Sequence, residues 1–153
     1  MQALLDLLDG GGLSLATAAA RLGLTEGQAL AALVEAGRTV RVDGKQALTT
    51  VRGWGRIRVI LRAGGSVAEV MSDLGAARER GSWLNDEDDR VHLHLDTSEL
   101  VGAYVTAKAG HVTGRTVRMV AFVDGRDEVL FKVMVPKERT DLVGPFNQLR
   151  GKA

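Results

Sequence analysis

The chain has 153 residues, 45% hydrophobic and 25% charged, which are ordinary proportions for a globular protein with one core or a core and a small head. Its 20 basic and 19 acidic residues give a formal charge of +1, which excludes the global positive field typical of non-specific binding to nucleic acids or anionic membranes. Because there is no cysteine, disulfides, thiolate nucleophiles, cysteine-ligated zinc and iron–sulfur clusters are also excluded.

The amino-terminal residues 1–6 lack the basic region and the unbroken apolar run of a secretory signal. No segment approaches the roughly 18 apolar residues that a membrane-spanning helix needs. We therefore expect a cytoplasmic protein without a membrane partner.

Three short helices are predicted next. The first covers residues 1–9 and carries leucines on one broad face, and the second, at residues 14–23, begins on a serine suited to capping it. In the third helix, Thr25 and Gln28 fit a capping box, apolar residues recur at helical spacing, and Gly37 ends the pattern. The second and third helices together predict a helix-turn-helix.

Two strands, at residues 39–42 and 46–51, are predicted after the helices. Asp43 and Gly44 lie between them, and this dipeptide is a strong signal for a two-residue hairpin turn. The helices and the hairpin together predict a winged-helix-like head over residues 1–52.

A winged-helix head commonly binds DNA, so the polar residues of its third helix are compared with those of a recognition helix. A recognition helix reads bases with Arg, Lys, Asn or Gln, whereas the third helix carries only Glu26, Gln28 and Glu35 as polar side chains. The basic residues that follow the helix are Arg38, Arg41 and Lys45. Since carboxylates repel phosphate, we expect nucleic acid not to be the partner. A winged-helix DNA-binding regulator with a sensory β domain remains the alternative.

Residues 53–153 are predicted to form a large antiparallel β-sheet that ends in a helix, so the fold class is α+β. Alternation of apolar and polar residues with period two is the signal for the strands. Strands are predicted at residues 56–62, 67–71, 90–96, 101–108, 116–123 and 128–135. A long loop is predicted at residues 72–89, with a short strand at Trp83-Leu84 in its centre. The tail, at residues 138–150, is predicted to be a helix that Gly144-Pro145 breaks or restarts.

The strand at residues 90–96 carries the most chemistry. His92 and His94 share its polar face and lie roughly 7 Å apart at about 3.3 Å of rise per residue, a workable spacing for two ligands of one metal. Asp96 or His111 could supply a third ligand, but the sequence does not determine their distances. Two exposed histidines without a metal are the simpler interpretation.

Tyr104, on the following strand, is expected near His92 and His94 if a turn pairs the two strands. Histidine and tyrosine are both axial ligands of haem iron, so such a surface suits haem. A hydrogen-bonded tyrosine on a half-exposed face is the alternative.

Catalytic motifs are lacking in the sequence. There is no G-x-S-x-G elbow and no phosphate-binding loop, and the acidic run at residues 86–89 is interpreted as solvated charge. We therefore expect a binding protein rather than an enzyme.

The order of these elements, with V-H-L-H-L-D at residues 91–96, T-G-R-T at 113–116 and L-F-K-V-M-V at 130–135, resembles the ChuX/HutX cytosolic haem carriers. These are related to the halves of the HemS/ChuS haem-trafficking and haem-degrading proteins. The resemblance covers residues 15–149 and implies a HemS/ChuX-like sheet and an intracellular haem-utilisation protein. It further implies a homodimer whose ligand is haem or a related tetrapyrrole, with haem degradation as a further alternative.

The resemblance also implies a site on a sheet face. A family histidine corresponds to His92, which becomes the preferred axial iron ligand. A second family histidine falls on or near Arg62, and a His-Gly-aromatic-aromatic-Asn loop corresponds to residues 81–85, with Gly81 replacing its histidine and Trp83 its tyrosine. The haem-binding residues implied are His92, His94 and Tyr104, with Arg58, Arg62 or Arg90 holding the propionates.

Overall fold

The computed structural model describes residues 1–10, 12–109 and 115–152. The helices are α1 Gln2–Asp9, α2 Leu15–Arg21, α3 Glu26–Glu35, α4 Gly44–Arg52 and α5 Val143–Arg150, with a short 3-10 helix at Thr140–Leu142. The strands are β1 Thr39–Asp43, β2 Arg56–Ala63, β3 Ser66–Asp73, β4 Arg78–Arg80, β5 Trp83–Glu87, β6 His92–Asp96, β7 Gly102–Ala109, β8 Thr116–Val123 and β9 Val129–Met134.

The strands form two antiparallel sheets. The large sheet has the order β1-β7-β8-β9-β2-β3, and the small sheet has the order β4-β5-β6. Helix α5 packs at the carboxyl terminus with Phe146 and Leu149 buried. The predicted α+β class, with a large antiparallel sheet and a terminal helix, is confirmed.

The head contains the predicted helix-turn-helix. Ser14 caps α2 by accepting the backbone N–H of Thr17, and Thr25 and Gln28 form the predicted capping box at the start of α3. The buried faces of α1, α2 and α3 pack on one face of the large sheet, around Tyr104. These three helices therefore cover part of that face, and the name head is used for them from here on.

The predicted second strand of the wing, at residues 46–51, is wrong because these residues lie in α4. Asp43 does not begin a hairpin turn; its Oδ1 atom accepts the backbone N–H of Gln46 at 2.8 Å and caps the helix. A Cβ atom on Gly44 would lie 2.8 Å from the backbone nitrogen of Gly102, so glycine permits a close approach to β7. Strand β1 pairs with β7 and joins the large sheet.

The main core lies on the other face of the large sheet. Helices α4 and α5 and the inner face of the small sheet cover it, and Trp54 and Phe146 meet there with ring centres 6.4 Å apart. The core side chains of the large sheet include Ile57, Val59, Val105, Val120, Phe122, Phe131 and Val133. The small sheet is thus held on the core through one face only.

The short strand expected at Trp83-Leu84 within the predicted loop is present as the start of β5, but the loop prediction is wrong where the segment 72–89 also contains β4, the rest of β5 and the end of β3. All three residues of β4 are exposed, so this strand shows no alternation that a sequence could reveal. Asp86 is buried and accepts the hydroxyl of Ser72 at 2.5 Å, so the interpretation of the acidic run as solvated charge is wrong at this position.

The tail helix is confirmed in its main part: a 3-10 helix ends at Leu142 and α5 begins at Val143, so the helix restarts beside Gly144 and Pro145, which lie in the first turn of α5. Arg139 precedes the helical tail and binds the carbonyl oxygens of Trp54 and Arg56 at 2.9 and 2.8 Å. No helix among the described residues has the length and apolarity needed to cross a membrane.

Candidate functional site

The small sheet presents polar and aromatic side chains on the face turned away from the core. Every second residue of β5 and β6 is buried, as shown by Leu84, Leu93 and Leu95, and the residues between them point outward. The predicted outward position of both histidines is therefore confirmed. We name this outer surface the small-sheet face; its members are Arg78, Arg80, Trp83, Asn85, Glu87, His92, His94 and Asp96.

Asn85 lies directly opposite His94 and forms a hydrogen bond with one nitrogen of its imidazole ring. Nδ1 of His94 lies 2.6 Å from Oδ1 of Asn85. Nδ2 of Asn85 donates to the carbonyl oxygen of Arg78 at 3.3 Å, which orients the amide with Oδ1 toward the ring. Because Oδ1 can only accept, Nδ1 is the donor, and Nε2 is the ring nitrogen left to contact a ligand.

Trp83 lies on the same face and is 45% exposed. It is the diagonal neighbour of His94 across the strand pair, at a distance of about 7–8 Å that an indole can reach. Arg80 lies opposite Trp83, and Arg78 lies opposite Asn85. The imidazole is thus accompanied by one aromatic ring and two guanidinium groups.

His92 is exposed on the same face, whereas Asp96, one of the two candidates for a third metal ligand, is engaged in other hydrogen bonds. Asp96 accepts the backbone N–H of Ser98 and the hydroxyl of Ser82, both at 2.9 Å, and these hydrogen bonds hold the pKa of its carboxyl below the usual value. Its carboxylate therefore closes a turn. His111 lies outside the described residues, and within them no group of three His, Cys, Asp or Glu side chains could hold a metal ion.

The expectation that Tyr104 lies near His92 and His94 is wrong. Strand β6 pairs with β5, whereas β7, which carries Tyr104, pairs with β1 and β8 in the large sheet. After β6, the backbone N–H of Thr97 donates to the carbonyl of Ser82, so the chain turns along the small sheet before it enters the large one. Tyr104 is buried beneath the head.

Arg62 also lies away from the histidines, in β2 of the large sheet. It lines a cavity of about 240 Å³ together with Glu26 and Lys132. Nζ of Lys132 lies 2.7 Å from Oε1 of Glu26, and each side chain is 11% exposed, so this ion pair ties α3 to β9. Arg62 and the histidines are thus on different sheets.

Arg90 is exposed in the connection that leads into β6. Its backbone N–H and that of Val91 both donate to Oδ1 of Asp88 at 2.7 Å, and these bonds hold the pKa of the Asp88 carboxyl below its usual value. The Arg90 side chain stands next to the strand that carries the histidines, so of the predicted arginines it is the one closest to them in the chain.

Gly81 stands in the turn between β4 and β5, at the position where the resembled loop has a histidine. Its φ of +60° lies in the left-handed region, where a side chain is strained and glycine is favoured. The geometry of this turn accounts for the glycine, and Trp83 follows after Ser82, on the small-sheet face.

Sequence reasoning did not assign Asn85, Trp83, Arg78 or Arg80 to the site. A signal for two of them was present, because Trp83 and Asn85 alternate with the buried Leu84 and Asp86. The arginines of β4 carry no such signal, since the whole strand is exposed.

Solved structures share this fold. A protein from Erwinia carotovora has a TM-score of 0.80 at 18% identity, covering 97% of both chains. The heme binding protein ChuX has a TM-score of 0.76 at 15% identity, also with 97% of both chains covered. The heme degrading enzyme ChuS of Escherichia coli O157:H7 has a TM-score of 0.80 at 17% identity, covering 99% of this chain and 45% of ChuS. The chain is therefore similar to about half of ChuS.

No curated protein matches the sequence. The sequence model of the haem utilisation ChuX/HutX family matches residues 38–149, from β1 through all the later strands and nearly all of α5. Because this match covers most of the chain, the chain belongs to the ChuX/HutX haem utilisation family.

Proposed function

We propose that the chain binds haem or a related tetrapyrrole on the small-sheet face and carries it without degrading it. Membership of a haem utilisation family and two exposed histidines on β6 support this function. The observation that carries the proposal is the hydrogen bond between Asn85 and His94, because it leaves Nε2 of the imidazole available for the haem iron.

A histidine that ligates a metal commonly donates its other ring N–H to an oxygen, which fixes the tautomer and orients the ring. His94 has this arrangement through Asn85. We assign His94 as the axial ligand for this reason. His92, which the family resemblance favours, is the competing assignment, since it lies two residues earlier on the same face.

The neighbours of His94 fit the rest of a tetrapyrrole. The exposed indole of Trp83 offers an apolar ring against which a flat macrocycle can pack. Arg78 and Arg80 on β4, together with Arg90 before β6, offer guanidinium groups that bind carboxylates with two hydrogen bonds. The face therefore combines a nitrogen ligand, an aromatic surface and partners for propionates.

Titration of the full chain with haemin, followed through the Soret band, tests the assignment. His94→Ala is expected to weaken haemin binding at least roughly tenfold and to move the Soret band, because the iron loses its nitrogen ligand. His92→Ala is the matched control, since it removes the same side chain from the same strand face. If only His92→Ala has this effect, the axial ligand is His92. Unchanged binding in the double variant would contradict the site.

Carriage and degradation are distinguished by adding an electron donor to the haem-loaded protein. A carrier keeps its Soret band or releases intact haem to an acceptor, as we expect for this chain. Loss of the band together with the appearance of a biliverdin-like product would show degradation, the activity named for ChuS.

DNA binding by the head is less well supported than haem binding. The first turn of α3 lies against the turn before β9, where a Cβ on Gly27 would be 1.4 Å from the carbonyl oxygen of Asp127. Arg38 pairs with Asp9 at 2.6 Å and Arg41 pairs with Asp127 at 3.3 Å. These contacts favour a structural role for the head. A salt-dependent gel shift on random duplex DNA would instead support a DNA-binding regulator.

The proposal includes a homodimer, which the family resemblance implies. Light scattering of the purified chain is expected to give twice the mass of one 16.3 kDa chain. A mass of 16.3 kDa at high protein concentration would contradict this part of the proposal.

A further inference from the structure

A second cavity, of about 440 Å³, opens where β8 begins and the helical tail starts. It shares no residue with the small-sheet face. Four basic side chains line it, and no carboxylate is among the described residues that do so; the basic residues are Arg115, Arg118, Lys137 and Arg139. The charged side chains that line the cavity are therefore all positive among the described residues.

Arg139 is already committed to holding the fold. Its guanidinium binds the carboxylate of Asp141 with Nε at 2.9 Å and Nη2 at 2.7 Å, and it also binds two backbone carbonyls. Hydrogen bonding to Asp141 is the main cause that raises the pKa of Arg139. The positive charge of Arg139 is thus balanced by its own partner, so the charge that a ligand would meet is assigned to Arg118 and Lys137.

The side chain of Arg118 contains a buried hydrogen-bond donor, its Nε atom, for which the described residues provide no acceptor. Arg118 lies on β8 opposite Ala107, and by strand alternation its side chain shares the core-side face with Val120. Its Nε atom is buried and has no hydrogen-bond partner in the part of the chain that the structure describes. A buried N–H group without an acceptor is costly to the fold, so an acceptor added at this place would relieve that cost.

The other walls of the cavity define the kind of molecule that fits. Val135, Pro136 and Val143 form an apolar wall, and the exposed ammonium group of Lys137 stands at the rim. Guanidinium groups prefer planar or tetrahedral oxyanions that accept two hydrogen bonds at once. A ligand for this cavity needs one such group attached to an apolar body.

We infer that this cavity binds a small organic anion through a carboxylate or phosphate group, with Arg118 and Lys137 as its charged contacts. The guanidinium group of Arg118, which lines the cavity, donates to the oxyanion, and Lys137 neutralises the charge from the rim. The apolar wall receives the body of the ligand. The site is separate from the proposed haem face and is tested without haem.

Thermal unfolding of the full chain with phenyl phosphate, benzoate or inorganic phosphate tests the inference, with sodium chloride at equal ionic strength as the reference. At least one of the two aromatic anions is expected to raise Tm above the chloride value, because a ligand that binds only the folded state stabilises it. The comparison of phenyl phosphate with benzoate shows which oxyanion the site prefers.

Two variants locate the effect. Arg118→Met is expected to abolish the rise in Tm without lowering Tm in the absence of ligand, because it removes an unpartnered buried group. Lys137→Gln changes an exposed residue that folding does not need, and it is expected to weaken binding roughly tenfold. Arg21→Gln, an exposed cation on α2, is the matched control and should keep the full rise.

An equal rise in Tm with chloride, or an undiminished rise in both Arg118→Met and Lys137→Gln, would overturn the inference. If Arg118→Met does not fold, the Lys137→Gln variant alone tests the proposed anion site, because an unchanged affinity in that variant contradicts it.

Discussion

The phenol group of Tyr104 donates a hydrogen bond to Oδ1 of Asp127, 2.9 Å away. Arg41 reaches the same oxygen from β1, with Nη2 at 3.3 Å, and its guanidinium carbon lies 5.8 Å from the centre of the tyrosine ring. Burial, and then the hydrogen bond to Asp127, raise the pKa of Tyr104 to about 12. These contacts hold the turn between β8 and β9 against the edge of the large sheet, beneath the head.

Tyr104→Phe is expected to lower the free energy of unfolding by about 1–2 kcal/mol, because a hydrogen bond to a carboxylate is lost. The pKa of the tyrosine rises from 10.0 to about 12 on folding, so its contribution is complete below pH 10 and is lost as the pH approaches 12. Urea unfolding across this range should therefore show a steeper loss of stability in the wild type than in the variant. Haemin binding should persist in Tyr104→Phe, and its loss would contradict the assignment of the small-sheet face.

The ion pair between Lys132 and Glu26 is expected to couple the head to the sheet. Lys132→Met alone should cost roughly 3 kcal/mol of unfolding free energy, because it leaves the Glu26 carboxylate nearly buried without its partner. Combining it with Glu26→Gln should cost less than the sum of the two single changes. A double-mutant cycle from urea unfolding measures this coupling, and strictly additive costs would show that the pair does not act as a unit.

Gly27→Ala is expected to separate α3 from the turn before β9. The new Cβ would lie 1.4 Å from the carbonyl oxygen of Asp127, so the helix or the turn has to move, at a cost of roughly 1–3 kcal/mol. Gly65→Ala is the control, because a Cβ there meets nothing within 4 Å. Equal midpoints for the two variants in thermal unfolding would show that the close contact does not matter.

Asn85 provides a test of how His94 is oriented. Asn85→Leu removes the acceptor for Nδ1 and is expected to weaken haemin binding about tenfold, as losses of such supporting hydrogen bonds do at metal sites. Asn85→Asp keeps an acceptor at the same place and should restore the affinity. Haemin titrations of both variants, with circular dichroism to confirm folding, measure the effect. Equal affinities in the two variants would remove the supporting role of Asn85.

The strands were predictable where one face is buried. In β6, Leu93 and Leu95 alternate with His92 and His94, and this pattern alone indicates which residues point outward. The capping box at Thr25 was equally readable, because it depends on residues only three apart. Strand β4 was not predictable, since all its residues are exposed and its place is set by pairing with β5.

The sequence by itself determined the α+β class, the helix-turn-helix, the outward histidines of β6 and the family, because these depend on local periodicity and motifs. Only the tertiary structure decided that Asp43 caps α4, because an aspartate before glycine suits both a hairpin turn and a helix cap. It alone also decided that Tyr104 lies under the head while Asn85 faces His94. Strand partners are chosen by packing between distant segments, which alternation within one strand does not encode.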